Sequence, residues 1–336
     1  MTTHTQVHLT SSELGSLWTQ YQHESLAICV LSHFKQNVDD PDIRELLKFA
    51  LNYSQHNLST LNSILIGSGY PLPTGFTIND LKPNAPRLFL DTYYLYYIKN
   101  MSRLGLAAYT LSLSLSARSD IRNYYQDCII TSMKVDKKVT DLMLSKGIYV
   151  RSPYIPPASE IEFANESSYL GSLWGKKRYL NAIEVSGLYT NLQTNIIGAS
   201  MMTAFAQVAK SQAVRDYLLR GKELANKHIN LFFTALKESE LPASTPIDTL
   251  LTTSTESPFS DKLLLFHTTI LLATGVGNYG LSMSTSQRMD LTIDYARLMA
   301  EIGLYAKDGA KLMIENKWLE EPPQAVNRKD LAMSKK

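Results

Sequence analysis

The chain has 336 residues, with 33 lysines and arginines against 31 aspartates and glutamates, so its formal net charge is +2. This balance excludes the broad basic surface of a general nucleic-acid-binding protein and an acidic solvating tail. Hydrophobic residues make up 44% of the chain, as in a globular protein of about two ordinary domains.

The first helix is predicted to begin after Thr10, which forms a capping box with Glu13. Apolar residues then recur at three- and four-residue steps through Leu31, which is typical of a helix with one buried face. Asp40 and Pro41 are typical of an N-cap and a first helical position. They predict a second helix that ends near residue 67.

A loop with four prolines separates the second helix from a third helix at about residues 87–117. Residues 110–116 read TLSLSLS, an alternation that alone would favour a strand, but both flanks are helical. We therefore predict helix there. Asp120 is predicted to cap a fourth helix.

The second half of the chain repeats the first. Residues 89–120 align without a gap against residues 259–290 at an offset of 170, and an offset of 171 relates earlier parts. The repeat predicts four more helices at about 181–210, 212–238, 259–286 and 289–319, the last capped by Asp290. We expect a first bundle at 9–150, a linker at 151–180 that packs on the bundles, and a second bundle at 181–325.

Each predicted unit has short connections within two helix pairs and a long loop of about 20 residues between the pairs. A loop of that length can run along a helix of about 40 Å. This pattern is typical of a ferritin-like bundle with a crossover. The fold class is therefore predicted to be all-α, with two tandem ferritin-like four-helix bundles from an internal duplication.

Several sequence motifs are similar to those of one protein family. They include ICVLSHF, SARSDIRNYY and YVRSPYIPP in the first half, and YLLRGKELANKHI, GVGNYGLS and YARLMAEIGLYAKDGAKLMIENKWLE in the second. With these motifs the chain resembles domain-of-unknown-function family 3231 of spore-forming bacilli, from about residue 9 to 325. The resemblance implies tandem ferritin-like bundles and no established reaction. Where the family has a histidine in the second helix, this chain has Asn57, with His56 one position earlier.

Two cysteines, Cys29 and Cys128, are too few for a disulfide framework or a thiolate-rich metal site. Each lies in an apolar stretch, which favours a buried free thiol in a reducing compartment. No signal peptide is evident, and polar residues interrupt the longest apolar stretch, Leu263–Leu281. We therefore expect a cytoplasmic protein without a membrane span.

Ferritin-like bundles hold two metal ions with Glu-x-x-His motifs, and the chain contains none. A single iron or zinc ion is the remaining possibility, because His228, His267, Glu301 and Asp308 fall on three predicted helices of the second unit. We take His228, His267 and Glu301 as the candidate ligands. The alternative is that these side chains are hydrogen-bonded groups of the core.

Two functions remain open from the sequence. The first is a non-catalytic structural or interaction protein of a spore-forming bacterium, with a protein partner or a second copy of itself as its partner. The second is a metal-binding protein or metal-dependent oxidoreductase that uses the second bundle. The missing Glu-x-x-His motifs favour the first.

Four tyrosines of the third helix, Tyr93, Tyr94, Tyr96 and Tyr97, cover all of its faces. A helix that is apolar all round is buried or faces another bundle. We predict packing between units or subunits, with an aromatic ligand pocket as the alternative.

Overall fold

A computed structural model of the chain describes residues 7–164, 166–171 and 177–333. Within these ranges the chain forms nine α-helices and no strand. The helices are α1 (Ser11–Asn37), α2 (Pro41–Gly67), α3 (Asp91–Ser114), α4 (Ser119–Ser145), α5 (Ala182–Val208), α6 (Gln212–Glu238), α7 (Asp261–Thr285), α8 (Met289–Glu315) and α9 (Arg328–Met333).

Each unit consists of two helical hairpins joined by a long crossover. In the first unit α1 packs on α2 and α3 packs on α4, and in the second α5 packs on α6 and α7 on α8. The crossovers are residues 68–90 and 239–260. The prediction of two tandem four-helix bundles is confirmed, and so is the helical assignment of residues 110–114.

The predicted capping residues at the starts of α1 and α2 are confirmed. The Thr10 hydroxyl accepts a hydrogen bond from the Glu13 backbone, and the Glu13 carboxylate accepts one from the Thr10 backbone. Asp40 accepts from two backbone N–H groups of the first turn of α2, with Pro41 as the first helical residue. Each of these bonds satisfies a donor that the helix itself leaves free.

The prediction that Asp120 and Asp290 cap the fourth helix of each unit is wrong. Each helix begins one residue before its aspartate. The N-cap residue is an arginine in both helices, and its side chain makes no capping hydrogen bond. Asp120 instead binds the Arg118 guanidinium. Just before α4, the backbone N–H groups of Ala117 and Arg118 donate to Glu13 Oε1 of α1, a residue distant in sequence that local spacing does not reveal.

The two crossovers pair with each other. Leu81 forms an antiparallel β-bridge with Phe259, and Phe89 forms one with Leu251. Leu81 and Leu251 are equivalent in the repeat, as are Phe89 and Phe259. The two bridges therefore join equivalent residues with the units exchanged, which is the geometry of an approximate two-fold axis.

The two units share a continuous hydrophobic core to which α1 through α8 all contribute. Tyrosines of α3 cross between the units. The Tyr93 hydroxyl donates to the Ile197 carbonyl, and Tyr97 lies against His267. The predicted role of this tyrosine cluster in packing between units is confirmed. A smaller second core lies within the first unit, around Leu17, Leu61 and Tyr125.

The expectation that the linker at 151–180 packs on the bundles is wrong for its first half. Tyr154, Ile161 and Phe163 are 79%, 88% and 81% exposed. Only the end of the linker is anchored, where Arg178 binds Glu184 in α5. Linker residues 165 and 172–176 lie outside the described residues.

Cys29 in α1 and Cys128 in α4 are both buried and unpaired, as predicted. Burial raises the pKa of the Cys29 thiol to about 12 and that of the Cys128 thiol to about 11, so both are protonated near neutral pH. Among the described helices, none combines the length and the apolar character that crossing a bilayer requires.

Candidate functional site

Two of the three predicted metal ligands, His228 and Glu301, lie side by side between α6 and α8. His228 Nε2 is 3.2 Å from Glu301 Oε2, and His228 Nδ1 is 3.0 Å from the Tyr279 hydroxyl oxygen. Lys227 Nζ donates to the other carboxylate oxygen of Glu301 at 2.7 Å. Both nitrogens of His228 and both oxygens of Glu301 thus have protein partners.

Electrostatics fix the protonation of this pair. Burial lowers the pKa of His228, although Glu301 opposes the shift. Partial burial alone would raise the pKa of Glu301, but Lys227 and His228 outweigh it and the net shift is downward. At neutral pH the pair is therefore a neutral imidazole beside an ionised carboxylate.

The third predicted ligand, His267, lies elsewhere. Its Nε2 is 3.2 Å from the Tyr97 hydroxyl oxygen, across the junction of the two units. His267 precedes Tyr279 by twelve residues in α7, which is about 18 Å along the helix axis, and it is Tyr279 that contacts His228. Asp308 pairs with Arg220 at the surface. The three-ligand arrangement is therefore not formed, and the described residues contain no group of three or more His, Cys, Asp or Glu side chains suited to a metal.

A cavity of about 380 Å³ lies in the first unit, lined by residues of α1 through α4. Thr19 of α1 and Ala108 and Leu111 of α3 are lining residues that are also exposed, so the cavity opens to solvent between these two helices. Its walls are mainly apolar and aromatic. They include Ala27, Tyr53, Tyr97, Ile98, Met101 and Tyr109.

Glu24 is the acidic residue of this cavity wall, and it is only 4% exposed. Its Oε1 accepts hydrogen bonds from Asn57 Nδ2 at 2.7 Å, the Tyr109 hydroxyl at 3.1 Å and Gln20 Nε2 at 3.2 Å. The Ser54 hydroxyl also lies beside the carboxyl group. Side chains from α1, α2 and α3 therefore fix the position of Glu24.

The charge of Glu24 has no protein counter-ion in the cavity. Burial raises its pKa, and the hydrogen bonds from Asn57, Ser54, Gln20 and Tyr109 only partly oppose this. Among the described residues, no lysine or arginine lines the cavity. A buried carboxylate without a cation is costly, so the empty cavity favours the protonated carboxyl group.

The equivalent place in the second unit is almost filled, with a space of about 40 Å³. There Leu272 stands at the position of Ser102, and Ile302 at the position of Ser132. Asn195 takes the place of Glu24. Its side chain donates to the Tyr279 hydroxyl at 2.7 Å.

The first and third helices of each unit also pack more closely in the second unit than in the first. α5 and α7 pack closely along their length, whereas α1 and α3 approach each other at few places. Small residues of the first unit leave the resulting gap empty, since Ser102, Gly105 and Ser132 all lie on the cavity wall. The duplication has therefore produced one open and one closed version of the same site.

Sequence reasoning missed this site because it searched for metal ligands. A signal was present: Glu24 lies three residues after Tyr21 and seven before Leu31, on the predicted apolar face of the first helix. A carboxylate on a core-facing stripe requires a partner or a proton. A comparison of the repeats by side-chain volume would also have shown Ser132 opposite Ile302.

Comparison with proteins of curated function found no match. Among solved structures, a Bacillus halodurans protein described as a putative spore coat protein is 21% identical, with a TM-score of 0.39. The match covers 47% of this chain and 99% of that one. A family model, described as "Protein of unknown function (DUF3231)", matches residues 1–161 and again residues 169–331. The chain belongs to this family and contains two copies of its unit.

Proposed function

We propose that this chain is a non-catalytic, cytoplasmic binding protein of a spore-forming bacterium, and that its first unit holds a small organic molecule. The observation that carries the proposal is the cavity of about 380 Å³, which the first unit keeps open and the second unit fills. The family resemblance supports the bacterial host. The two buried free thiols are consistent with a reducing compartment.

The cavity has the features of a small-molecule site. Such sites have volumes of roughly 300–1,000 Å³, mostly apolar walls and a few polar groups at defined positions. Here the polar groups converge on one carboxyl, that of Glu24, at a wall that three helices hold in place. A molecule with an apolar body and one polar end fits these walls.

The cavity wall supports binding rather than turnover. Nucleophilic catalysis needs a hydroxyl or thiol bonded to a base that a third group orients. His23 lines the cavity, but in the described residues it makes a ring contact with Phe266 and no hydrogen bond with a lining serine or threonine. Burial lowers the pKa of His23 to about 4.

Thermal unfolding with a neutral probe tests the proposal. We expect 4-phenylbutan-1-ol to raise the Tm of the wild-type chain in a concentration-dependent manner, because a ligand of the native state stabilises it by mass action. Ser132→Ile should reduce the shift, because the larger side chain takes up part of the cavity. Met133→Ile, an exposed change on the same helix, is the matched control and should keep it.

Two results would contradict the proposed function. One is an unchanged Tm of the wild-type chain across the full range of probe concentration. The other is an equal shift in the Ser132→Ile variant, which would place the probe outside the cavity.

A further inference from the structure

We infer that the ligand of the first unit is an apolar molecule that carries an ammonium group, bound with its nitrogen at the Glu24 carboxylate. This inference rests on the proposed function and specifies the class of ligand. It follows from the charge, the hydrogen-bond geometry and the aromatic walls of the cavity, and from the replacement of Glu24 and of two lining tyrosines in the second unit.

The charge at the site is uncompensated by the protein. The cationic side chains of α3 that lie nearest the cavity in sequence are occupied elsewhere: Lys99 binds Asp136 and Thr140, and Arg103 binds Asn100 and Thr194. A ligand cation would pair with Glu24 in a water-poor site, where charge-assisted hydrogen bonds are strong. An anionic ligand would meet the carboxylate without any positive group on the lining.

The hydrogen bonds of Glu24 leave room for such a ligand. Its donors from Gln20, Asn57 and Tyr109 all reach the same oxygen, Oε1. None of these three bonds uses Oε2, and the Ser54 hydroxyl is the remaining donor beside the carboxyl group. An ammonium group has three N–H donors and no acceptor. It can therefore donate to Oε2, while the other oxygen of the carboxylate, Oε1, accepts the three hydrogen bonds from the protein.

Aromatic rings complete the site for a cation. Tyr53 of α2 and Tyr97 and Tyr109 of α3 line the cavity together with Glu24. A cation within about 6 Å of an aromatic face is attracted by the ring quadrupole. The apolar lining, such as Met101 and Ile98, would contact the body of the ligand.

The second unit supports the same conclusion by contrast. It replaces Glu24 with the neutral Asn195, Tyr53 with Leu224 and Tyr97 with His267. These changes accompany the filling of the cavity by Leu272 and Ile302. The carboxylate, two of the three lining tyrosines and most of the empty space are therefore features of the first unit alone, whereas Tyr109 has a counterpart in Tyr279.

Binding of the ammonium group should release the proton of Glu24 to solvent. The other titratable groups near this carboxyl are His23 of α1, Tyr53 of α2, Tyr109 of α3, and Tyr124 and Cys128 of α4. Burial lowers the pKa of His23 to about 4 and raises the pKa values of the other four groups. All five are therefore uncharged between about pH 5 and 8, so a proton released on ligand binding in this range comes from Glu24.

Calorimetric titration of the full chain with an isosteric pair of probes tests the inference. At pH 7 we expect 4-phenylbutylamine to bind at least tenfold more tightly than 4-phenylbutan-1-ol. Glu24→Gln should weaken amine binding at least tenfold and change alcohol binding less than threefold, because the amide keeps the shape of the carboxyl without its charge. Alcohol binding by the variant also shows that its cavity is intact.

The pH dependence gives a second readout. Amine affinity of the wild-type chain should rise with pH above 4.5, the ordinary carboxyl pKa, until Glu24 is ionised in the free protein as well. The Glu24→Gln variant should show no such rise.

The outcomes separate the two proposals. If the alcohol binds as tightly as the amine, or if Glu24→Gln weakens both equally, the assignment of an ammonium ligand is overturned while the binding function stands. If neither probe binds the wild-type chain, both are overturned.

Discussion

Ser132 in α4 and Ile302 in α8 occupy equivalent positions of the two units, and the larger side chain lies in the unit whose cavity is almost filled. Ser132 lies on the wall of the 380 Å³ cavity. Ile302 lies over Gly275, where its Cδ1 atom is 3.3 Å from the position that a glycine Cβ would take. Gly105 in the first unit matches Gly275, but the Tyr109 ring lies 3.1 Å from the corresponding Cβ position, so an isoleucine at position 132 would place its extra carbon atoms in the adjoining cavity.

Ser132→Ile is therefore expected to raise the free energy of unfolding by about 1–2 kcal/mol, since it buries additional methyl groups in existing space. Some strain from imperfect fit is included in that range. Urea denaturation of the variant and of Met133→Ile measures the effect. A destabilised Ser132→Ile protein would show that the cavity wall cannot take the side chain that its repeat carries.

The reverse change, Ile302→Ser, should lower the free energy of unfolding by about 3 kcal/mol. It removes a buried apolar side chain and leaves a cavity in a unit that has almost no free space. Denaturation by urea again measures the loss. A loss below 1 kcal/mol would mean that neighbouring side chains collapse into the space, and the comparison of open and closed units would then lose its basis.

Much of the fold could be predicted from local sequence signals, and the site could not. Thr10 with Glu13, and Asp40 with Pro41, act within one turn of helix, so spacing alone reveals them. His267 is different, because its direction is set by Tyr97 of the other unit. Periodicity within one helix contains no information about that contact.

The cavity depends on the summed volume of side chains from four helices. Ser102 and Ser132 are unremarkable small residues in their own helices, and only the assembled bundle shows that they border one space. The repeat offered the missing information through Leu272 and Ile302. Without the helix rotations, those replacements could not be assigned to a shared wall.

Gly221→Ala should destabilise the second unit by about 2–3 kcal/mol. A Cβ at this position in α6 would overlap the Tyr305 hydroxyl and come within 2.5 Å of Met202 Sδ. Tyr305 cannot easily move, because it stacks on Tyr217 at 4.2 Å and its hydroxyl donates to the Tyr217 carbonyl. Overpacking of this kind typically costs 1–3 kcal/mol.

Gly303→Ala in α8 is the matched control for that change. No heavy atom lies within 4 Å of a Cβ at this position, so the gain in helix propensity of about 0.5–1 kcal/mol should appear as added stability. Thermal unfolding of the two variants should thus give shifts of opposite sign. Tm shifts of the same sign in both variants would contradict the tight contact between α6 and α8 at Gly221.

Acid should destabilise the chain through its buried histidines. Burial lowers the pKa of His267 to about 3 and that of His33 to about 4, from an ordinary value of 6.5. Between pH 6.5 and about 4 the unfolded chain therefore binds more protons than the native chain, so stability falls as pH falls. Each such group contributes about 1.4 kcal/mol per pH unit within its window.

The histidine effect is measured as the slope of unfolding free energy against pH. His267→Gln should reduce the slope between pH 6.5 and 4 by the contribution of one histidine, about 1.4 kcal/mol per pH unit. This holds whatever effect the substitution has on stability at pH 7. Met133→Ile, an exposed change that removes no titratable group, should leave the slope unchanged. An unchanged slope in His267→Gln would contradict the buried, neutral state of that ring.

Glu24 should act in the opposite direction. Because burial raises its pKa in the native state above the ordinary 4.5, its contribution to stability is complete below pH 4.5 and is lost as pH rises through the native value. Glu24→Gln should therefore increase stability relative to wild type by an amount that grows with pH over this window. A difference that shrinks as pH rises would show that Glu24 is stabilised as a carboxylate in the empty protein.

A crystal structure of the full chain with 4-phenylbutylamine would show whether the first unit alone binds a ligand. We expect one bound molecule between α1 and α3, with its nitrogen within about 3 Å of a Glu24 carboxylate oxygen, and none at the equivalent place beside Asn195. Occupied density in the second unit, or an empty first unit at saturating probe, would contradict this expectation.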